Sequence, residues 1–379
     1  MFSGWVLSTC AMVTTLILMN ELNDKTLSAV ARYSRMKMMH RILTMRNAFF
    51  PILSPRPKGM SAGSKALDEI IDLYHPRLFI SENVTNDDVT KLRDNSKQML
   101  TSLHPARTPS CIVRNSRFDY GDNYVYVNYI QHNQVDDWKT SHKPLVLYFH
   151  GGGFVFGGIE TYSGLECHLS KELNMLIIHV EFFLSPENSH ADTLLDVIGV
   201  YETLLAADPN INERLIGMGD SSGGMLWIHL LQWIATNNKP VPKGVVLHSP
   251  WPSLSFDDIG FYIESNNYLA LDLAFNLREL AIGKNTDWHK LTDEEKRRLS
   301  PKEDSYEGFP PLYITAGTNE IFIKSIRKMV TNARKVDVSV TYDEAEGSMH
   351  TFALFHLWAS EAQCVQKNVA QWIQQRLLF

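Results

Sequence analysis

The stretch Gly219-Asp220-Ser221-Ser222-Gly223-Gly224 lies between a short apolar run, Leu215-Ile216-Gly217-Met218, and a longer apolar run from Met225 to Ile234. An apolar strand, a serine flanked by glycines and a helix, in this order, form a nucleophile elbow. The glycines let strand and helix approach closely, and the turn leaves the Ser221 hydroxyl exposed at a helix N-terminus. A glycine-rich turn with a capping serine gives the same pattern. A catalytic interpretation therefore needs an oxyanion hole, an acid and a histidine elsewhere in the chain.

A second glycine-rich stretch, His150-Gly151-Gly152-Gly153-Phe154, directly follows the apolar run Leu145 to Phe149. Consecutive glycines can turn their backbone N–H groups into a site because no Cβ is in the way. We expect the three glycine N–H groups and that of Ser222 to bind an oxyanion. His150 is expected to fix this loop through a structural hydrogen bond. The chain has no G-K-[ST] or G-x-G-x-x-G loop of the kind that binds nucleotides.

An acid and a histidine follow two further apolar runs. Glu320 follows the run Leu312 to Thr315, and His350 follows the run Val338 to Tyr342. Ligand sites of open α/β sheets lie at these carboxyl ends of strands. The chain order Ser221, Glu320, His350 predicts a triad in which His350 takes the serine proton and Glu320 holds the imidazole.

The remaining residues of these motifs have other expected roles. Gly219, Asp220 and Gly223 are expected to shape the elbow rather than react. Asp304 and Asp343 are alternative acids, which we place in nearby loops. Without a catalytic role, His350 would be a surface loop histidine and Glu320 an acid favoured at a helix N-terminus. The serine, the acid and the histidine occur together in the expected chain order, which favours the triad over these alternatives.

Apolar runs alternate with helical stretches from Leu145 to Leu377, which predicts an α/β fold with a mostly parallel sheet and helices on both faces. Trp251 to Gly308 reads as a helical cap insert within one domain spanning residues 64–379. Upstream, the sequence predicts a hairpin around Gly121-Asp122-Asn123 and cap helices at Leu67 to Leu73 and Asp87 to Leu100. The other strand-like runs are Met175 to Val180, Leu215 to Met218 and Val245 to Leu247; the helical stretches are Gly164 to Leu173, Asp192 to Ala206, Ser222 to Asn237, Ile321 to Arg334 and Trp358 to Leu377.

The N-terminus has a different character. Phe2 to Met19 has no charged residue, and we expect residues 1–20 to form an uncleaved membrane anchor. Residues 21–63 read as a basic amphipathic segment and linker that suits an anionic membrane surface; a solvated basic helix packed on the domain is the alternative. The chain has one glycosylation sequon, Asn83-Val84-Thr85.

Composition excludes several classes of function. The formal net charge of −6 gives no general attraction to nucleic acid. The four cysteines are far apart and form no zinc site, so buried free thiols are the default, with one disulfide possible outside the cytoplasm. We expect no cofactor, no metal and no obligate protein partner.

The motifs together resemble the hormone-sensitive-lipase-like branch of the α/β-hydrolases. The resemblance covers about Leu145 to Phe352 and includes Leu184-Ser185-Pro186-Glu187 and Ser249-Pro250-Trp251, but Phe182-Phe183 replaces the usual tyrosine-arginine. It implies a serine carboxylic ester hydrolase with the triad and oxyanion donors named above. The N-terminal anchor resembles the fungal steryl acetyl hydrolases, which implies deacetylation of sterol or similar lipid esters at the endoplasmic reticulum membrane.

The aromatic content of the oxyanion loop and the cap agrees with a bulky lipid alcohol, although these residues also suit a cap core: Phe154, Phe156, Tyr162, Trp251, Phe256, Phe261, Tyr262, Tyr268 and Phe275. An amidase or arylacetamide deacetylase would use the same machinery, and related folds also serve as inactive ligand receptors.

Two signals about membrane topology disagree. Five basic residues between Arg32 and Arg46 follow the apolar run, and the positive-inside rule then keeps the domain cytoplasmic. The resemblance, together with Asn83, favours a lumenal domain. We expect the lumenal side, with the basic stretch lying flat on the membrane.

Overall fold

The computed structural model describes residues 27–54, 56, 59–72, 84–256, 258, 269, 271–283, 286, 288–303 and 305–378. The expected anchor at residues 1–20 and the sequon residue Asn83 lie outside these ranges. Among the helices in the described ranges, none combines the length and the apolar character needed to cross a bilayer.

Eight strands form one sheet in the order β1-β2-β4-β3-β5-β6-β7-β8. The hairpin β1–β2 is antiparallel and joins β4 in antiparallel fashion, whereas β4, β3 and β5 to β8 run parallel. The α/β prediction and the predicted hairpin are thus confirmed. The strands are β1 Cys111–Tyr120, β2 Asn123–His132, β3 Leu145–Phe149, β4 Leu176–Glu181, β5 Leu215–Asp220, β6 Gly244–His248, β7 Leu312–Gly317 and β8 Val340–Ala345.

The strands that are buried on both faces are the ones that appear in the sequence as continuous apolar runs. Every residue of β3, β5, β6 and β7 is buried, as a strand covered on both faces requires. The last strand differs, because β8 lies at the sheet edge and its side chains are half-buried or exposed. Asp343 therefore lies within an edge strand and not in a loop, which corrects the sequence expectation.

Helices cover both faces of the sheet, and most of them start and end within a few residues of the predicted bounds. In the described chain they are α1 Ala29–Phe49, α2 Ala62–Asp72, α3 Asn86–Leu103, α4 Trp138–Ser141, α5 Ile159–Leu173, α6 His190–Ala207, α7 Ser222–Thr236, α8 Leu271–Ile282, α9 Asp293–Arg298, α10 Ile323–Lys335 and α11 Ser360–Leu377. Within the insert, the described elements are α8, α9 and short 3-10 turns.

Helix α5 begins at Ile159, five residues before the expected Gly164, and a distant residue explains the difference. Its N-cap is Gly158, which has no side chain to accept a hydrogen bond. The Ile159 N–H donates instead to Glu181 Oε1 at the end of β4, at 2.8 Å. The helix start is thus set by a tertiary contact and not by a local capping residue.

Helix α1, within the predicted basic amphipathic segment, has two apolar sides. Met36, Met39 and Leu43 are buried in the core, where α1 packs on α2 and α3. This inner side matches the alternative of a helix packed on the domain. The opposite side exposes the large apolar side chains Val30, Met38, Met45 and Phe49, and Phe50 and Ile52, which follow the helix, are exposed as well.

A disulfide joins Cys111, the first residue of β1, to Cys167 on α5. The default of buried free thiols is therefore wrong for these two residues, because the fold brings the hairpin edge onto α5. Cys364 is free and exposed. The bridge closes a sequence separation of 56 residues.

Replacing both bridged cysteines, Cys111→Ser with Cys167→Ser, should lower the free energy of unfolding by about 2–4 kcal/mol, because the bridge restricts the unfolded chain. Denaturant-induced unfolding followed by circular dichroism measures the change. Cys364→Ser is the matched control and should unfold like the wild type. Equal stability of all three proteins would show that the bridge does not form.

Candidate active site

Ser221 occupies a strained turn between β5 and α7. Its φ of 50° and ψ of −117° fall outside the regions that a serine normally adopts. The turn is held by hydrogen bonds on both sides, from Ser221 N–H to the His248 carbonyl at 3.0 Å and from Trp251 N–H to the Ser221 carbonyl at 2.9 Å. At Gly223 a Cβ would lie 2.0 Å from the Phe149 carbonyl oxygen, so only glycine permits this approach of α7 to β3.

Three side chains from different strand ends form one hydrogen-bonded row. His350 Nε2 lies 2.9 Å from Ser221 Oγ, and His350 Nδ1 lies 3.0 Å from Glu320 Oε2. All three residues are at most 7% exposed. The structure thus brings together the three residues that the sequence nominated. An Nδ1–H that donates to Glu320 leaves Nε2 to accept the Ser221 hydroxyl proton.

The loops that carry the acid and the histidine are tied together and to β6. Asn319 N–H donates to the Ser348 carbonyl at 3.0 Å. Thr351 N–H donates to Ser249 Oγ at 2.9 Å, which fixes the backbone next to His350. Burial raises the pKa of Glu320, and the hydrogen bond from His350 opposes this shift. A buried carboxylate of this kind is stabilised when the imidazole beside it becomes positively charged.

Neither alternative acid takes the position beside His350. The Asp343 carboxylate accepts hydrogen bonds from the Tyr313 hydroxyl and from Asn368 Nδ2. It therefore serves the packing of β8 and α11 against β7. Asp304 lies outside the described residues.

The glycine loop offers fewer oxyanion donors than expected. Gly151 N–H donates to Asp220 Oδ1 at 3.0 Å, so Gly151 is already engaged and is corrected to a structural role. Gly152 and Gly153 have φ values of 115° and 60°, which non-glycine residues rarely adopt. Within the described chain, no acceptor is found for the N–H groups of Gly152, Gly153 and Ser222. Because β3 and β5 pair with Phe149 opposite Gly219, these N–H groups lie beside the turn that carries Ser221.

The Asp220 carboxylate connects the loop, the sheet and α5. It accepts hydrogen bonds from the Tyr148 and Tyr162 hydroxyls, both at 2.9 Å, in addition to that of Gly151 N–H. Burial raises the pKa of Asp220 to about 6, although the tyrosine and backbone donors favour the ionised form. The expected structural role of Asp220 therefore rests on three separate donors.

His150 is buried and stabilises the loop, as expected. Its Nδ1 pairs with the Gly151 carbonyl at 2.7 Å, and its ring stacks on Phe182 with 4.3 Å between the centroids. Burial lowers the pKa of His150 to about 4, so the ring is neutral at physiological pH. The phenylalanine that departs from the family pattern thus supplies the stacking partner.

The sequence did not reveal a buried ion-pair cluster next to His150. His179 Nδ1 lies 2.6 Å from Glu166 Oε1, and its Nε2 lies 3.5 Å from Glu181 Oε1. Burial alone would lower the pKa of His179, but Glu166 and Glu181 raise it to about 10. His150, His179 and Glu181 are the one group of possible metal ligands among the described residues. The two carboxylates beside His179 favour its protonated form, as in a buried ion pair.

A narrow apolar pocket opens at Ser221. Its volume is about 30 Å³. Residues of the insert and residues of α3 both line this pocket. The apolar lining consists of Met99, Leu100, Phe156, Trp251, Leu269, Leu277, Leu354 and Phe355.

Comparison with known proteins agrees with this architecture. The sequence profile of a family described as alpha/beta hydrolase fold matches residues 146–354, more than half of the chain. An esterase of Acinetobacter venetianus is 26% identical over 236 residues, which cover 62% of this chain and 75% of the esterase. An acetyl-hydrolase of Streptomyces hygroscopicus is 26% identical over 213 residues, covering 56% of this chain and 69% of that protein.

A solved structure is similar over most of the chain. The crystal structure of an esterase from the bacterial hormone-sensitive lipase family superposes with a TM-score of 0.67. The match covers 82% of this chain and 98% of the esterase at 20% sequence identity. At this identity the match establishes the shared fold.

Tyr148→Phe should destabilise the protein more at pH 7.5 than at pH 5. The pKa of Asp220 is near 4 in the unfolded chain and is raised to about 6 in the folded protein. The free energy of unfolding therefore falls as the pH rises from about 4 to about 6, because ionisation is less favourable in the folded state. Above the folded pKa of Asp220, the variant loses a hydrogen bond to a charged carboxylate, which costs about 1.5–3 kcal/mol. Below the folded pKa, the lost bond is to a neutral carboxyl and costs about 0.5–1.5 kcal/mol. Denaturant unfolding at both pH values measures the difference.

Tyr201→Phe is the matched control, because this buried hydroxyl donates to the neutral Pro240 carbonyl at 2.6 Å. Tyr201→Phe should lower the free energy of unfolding by the same amount at both pH values. A Tyr148→Phe cost that does not change with pH would contradict the assigned state of Asp220.

Proposed function

The chain belongs to the α/β-hydrolase fold family, and from this premise we propose that it is a serine carboxylic ester hydrolase. The observation that carries the proposal is the placement of His350 between the Ser221 hydroxyl and the Glu320 carboxylate. The esterase and acetyl-hydrolase relatives support the same reaction class.

In the proposed mechanism, His350 Nε2 takes the proton of Ser221 as Oγ attacks the ester carbonyl carbon. The carbonyl oxygen becomes an oxyanion, which the N–H groups of Gly152, Gly153 and Ser222 stabilise. Collapse of this intermediate breaks the bond to the alcohol oxygen, which receives the proton from His350. Water then attacks the acyl-serine by the same route, and the carboxylic acid leaves. Glu320 holds the imidazole and stabilises its charged form in both halves.

The acyl group of the proposed substrate is small. A space of about 30 Å³ at Ser221 holds only a few heavy atoms, and an acetyl group has three. Leu277 also restricts the size of the acyl group, because it packs directly on the glycine loop. A Cβ on Gly153 would lie 2.6 Å from Leu277 Cδ1, so little space separates the loop from the cap. The acetyl-hydrolase relative agrees with an acetyl ester.

The alcohol of the proposed substrate is a sterol or another lipid. Met99 and Leu100 of α3 and Leu269 and Leu277 of the insert give the pocket an apolar lining. A bulky alcohol would extend along these side chains towards solvent. The resemblance to steryl acetyl hydrolases, stated from the sequence, points to the same class.

Two other functions use the same framework. An amidase or arylacetamide deacetylase would share the mechanism and differ only in the bond cleaved. A receptor that binds without reacting needs no proton route, so the intact row of Ser221, His350 and Glu320 favours an enzyme.

We place the enzyme at the endoplasmic reticulum membrane, with the domain in the lumen. The apolar outer side of α1 supports membrane contact, since half of the twelve exposed large apolar residues in the described chain lie between Val30 and Ile52. The disulfide Cys111–Cys167 supports an oxidising compartment. Thr85, the third residue of the sequon, is exposed at the N-terminus of α3.

Ser221→Ala should abolish labelling by a fluorophosphonate and lower kcat on acetyl esters by roughly 10⁴–10⁶, because the nucleophile is lost. In-gel labelling and a panel of acetyl, butyryl and longer esters of sterols and simple alcohols measure both effects, and the wild type should prefer acetyl. Ser222→Ala keeps Ser221 and its own N–H, so it should still label. Normal turnover by Ser221→Ala would refute the assignment.

Glu320→Gln should keep the fold and lower kcat by roughly 10²–10⁴, because the amide no longer enforces the imidazole tautomer. Asp343→Asn is the matched control and should retain activity, since its carboxylate contacts Tyr313 and Asn368. Steady-state kinetics on an acetyl ester measures both. A nearly active Glu320→Gln beside an inactive Asp343→Asn would move the triad acid to Asp343.

The full chain expressed in a eukaryotic cell should sediment with membranes and carry a glycan on Asn83, because sequons are modified in the lumen. Endoglycosidase treatment followed by electrophoresis should shift the band, and Asn83→Gln should run at the deglycosylated position. An unshifted band, together with protease access to the domain in sealed microsomes, would place the domain on the cytoplasmic face.

A further inference from the structure

A second cavity lies in the cap and is separate from the pocket at Ser221. Its volume is about 720 Å³, far more than at Ser221. The rings of Phe256, Phe275 and Trp288 form part of its wall. The reaction proposed above has no use for this space.

Arg278 on α8 is the buried charge of this cavity. The residue is 7% exposed, and its Cζ lies 5.0–5.2 Å from the centroids of three rings, those of Phe256, Phe275 and Trp288. Its Nε and Nη2 both donate to Glu279 Oε1. Within the described chain, no acceptor is found for Nη1. A buried guanidinium with one unused nitrogen is a donor for an incoming anion.

Two further cations line the same cavity. Lys296 and Arg297 on α9 have no ion pair with any residue that the structure describes. Asp293 is the single acid among the lining residues that the structure describes, and Glu279 pairs with Arg278. Three cations set against two carboxylates leave one excess positive charge, which complements a monoanion.

From these contacts we propose that the cap cavity binds an amphiphilic monocarboxylate. The carboxylate lies among Arg278 Nη1, Lys296 and Arg297, and the apolar body lies on the three aromatic rings. The rings hold the guanidinium by cation–π contact and also offer apolar surface. The single excess charge favours a carboxylate over a dianionic phosphate.

Two contacts connect the wall of this cavity with the wall of the pocket at Ser221. Leu277, next to Arg278 on α8, lines the Ser221 pocket and contacts the loop at Gly153. On the other side, Phe256 contacts Trp251 with 5.7 Å between ring centroids, and Trp251 also lines that pocket. A side chain that lines the cap cavity therefore contacts a side chain that lines the Ser221 pocket.

Isothermal titration calorimetry of the purified full chain with sodium octanoate tests the proposal without using activity, so its outcome is independent of the proposed function. The wild type should bind octanoate at least about tenfold more tightly than 1-octanol, which has the same chain length without the charge. Arg278→Gln and the double variant Lys296→Ala/Arg297→Ala should each weaken octanoate binding by about tenfold or more, as expected for lost charge-assisted hydrogen bonds.

Arg298→Ala is the matched control, because Arg298 is on the same helix but is exposed and paired with Glu294. It should bind octanoate within about twofold of the wild type. The double variant changes only partly or fully exposed residues, so it remains informative if Arg278→Gln does not fold. Equal binding of octanoate and octanol, or octanoate binding retained by the double variant, would overturn the proposal.

Discussion

The buried carboxylate of Asp220 is the contact on which the geometry at Ser221 depends. Asp220 is the last residue of β5 and accepts one hydrogen bond each from Tyr148, Gly151 and Tyr162. These donors belong to β3, to the glycine loop and to α5. An ionised carboxylate at this depth is stable only because three donors surround it. The loop is thus fixed relative to the serine turn before any ligand arrives.

The other groups of the site are also held in position by the fold before a substrate binds. The glycine loop, Ser221, Glu320 and His350 follow β3, β5, β7 and β8, whose parallel carboxyl ends meet at one edge of the sheet. Hydrogen bonds between the Glu320 and His350 loops, and from Thr351 to Ser249, hold these strand ends in register. An arrangement fixed in this way needs little reorganisation when charge develops during ester cleavage. The strain at Ser221 is maintained by the packed sheet around it.

Much of the fold and of the candidate site could be predicted because the signals are local. The buried strand β3 was located to the residue, since Leu145 to Phe149 is a continuous apolar run. The motif order also nominated three side chains that the structure places in contact. What the sequence could not reveal depends on distant contacts: the cap of α5 by Glu181, the Glu166–His179–Glu181 cluster, the disulfide and the use of Gly151 by Asp220. No local pattern encodes which residues a fold will bring together.

The central claim is that Ser221 is acylated during turnover. Rapid acid quenching of the wild type with p-nitrophenyl acetate, followed by mass spectrometry of the peptide that contains Ser221, tests it most directly. The account predicts an acetyl group on Ser221, formed before steady-state release of acetate, and no such adduct in Ser221→Ala. Continued ester hydrolysis with no acetyl group on Ser221 at any quench time would contradict it.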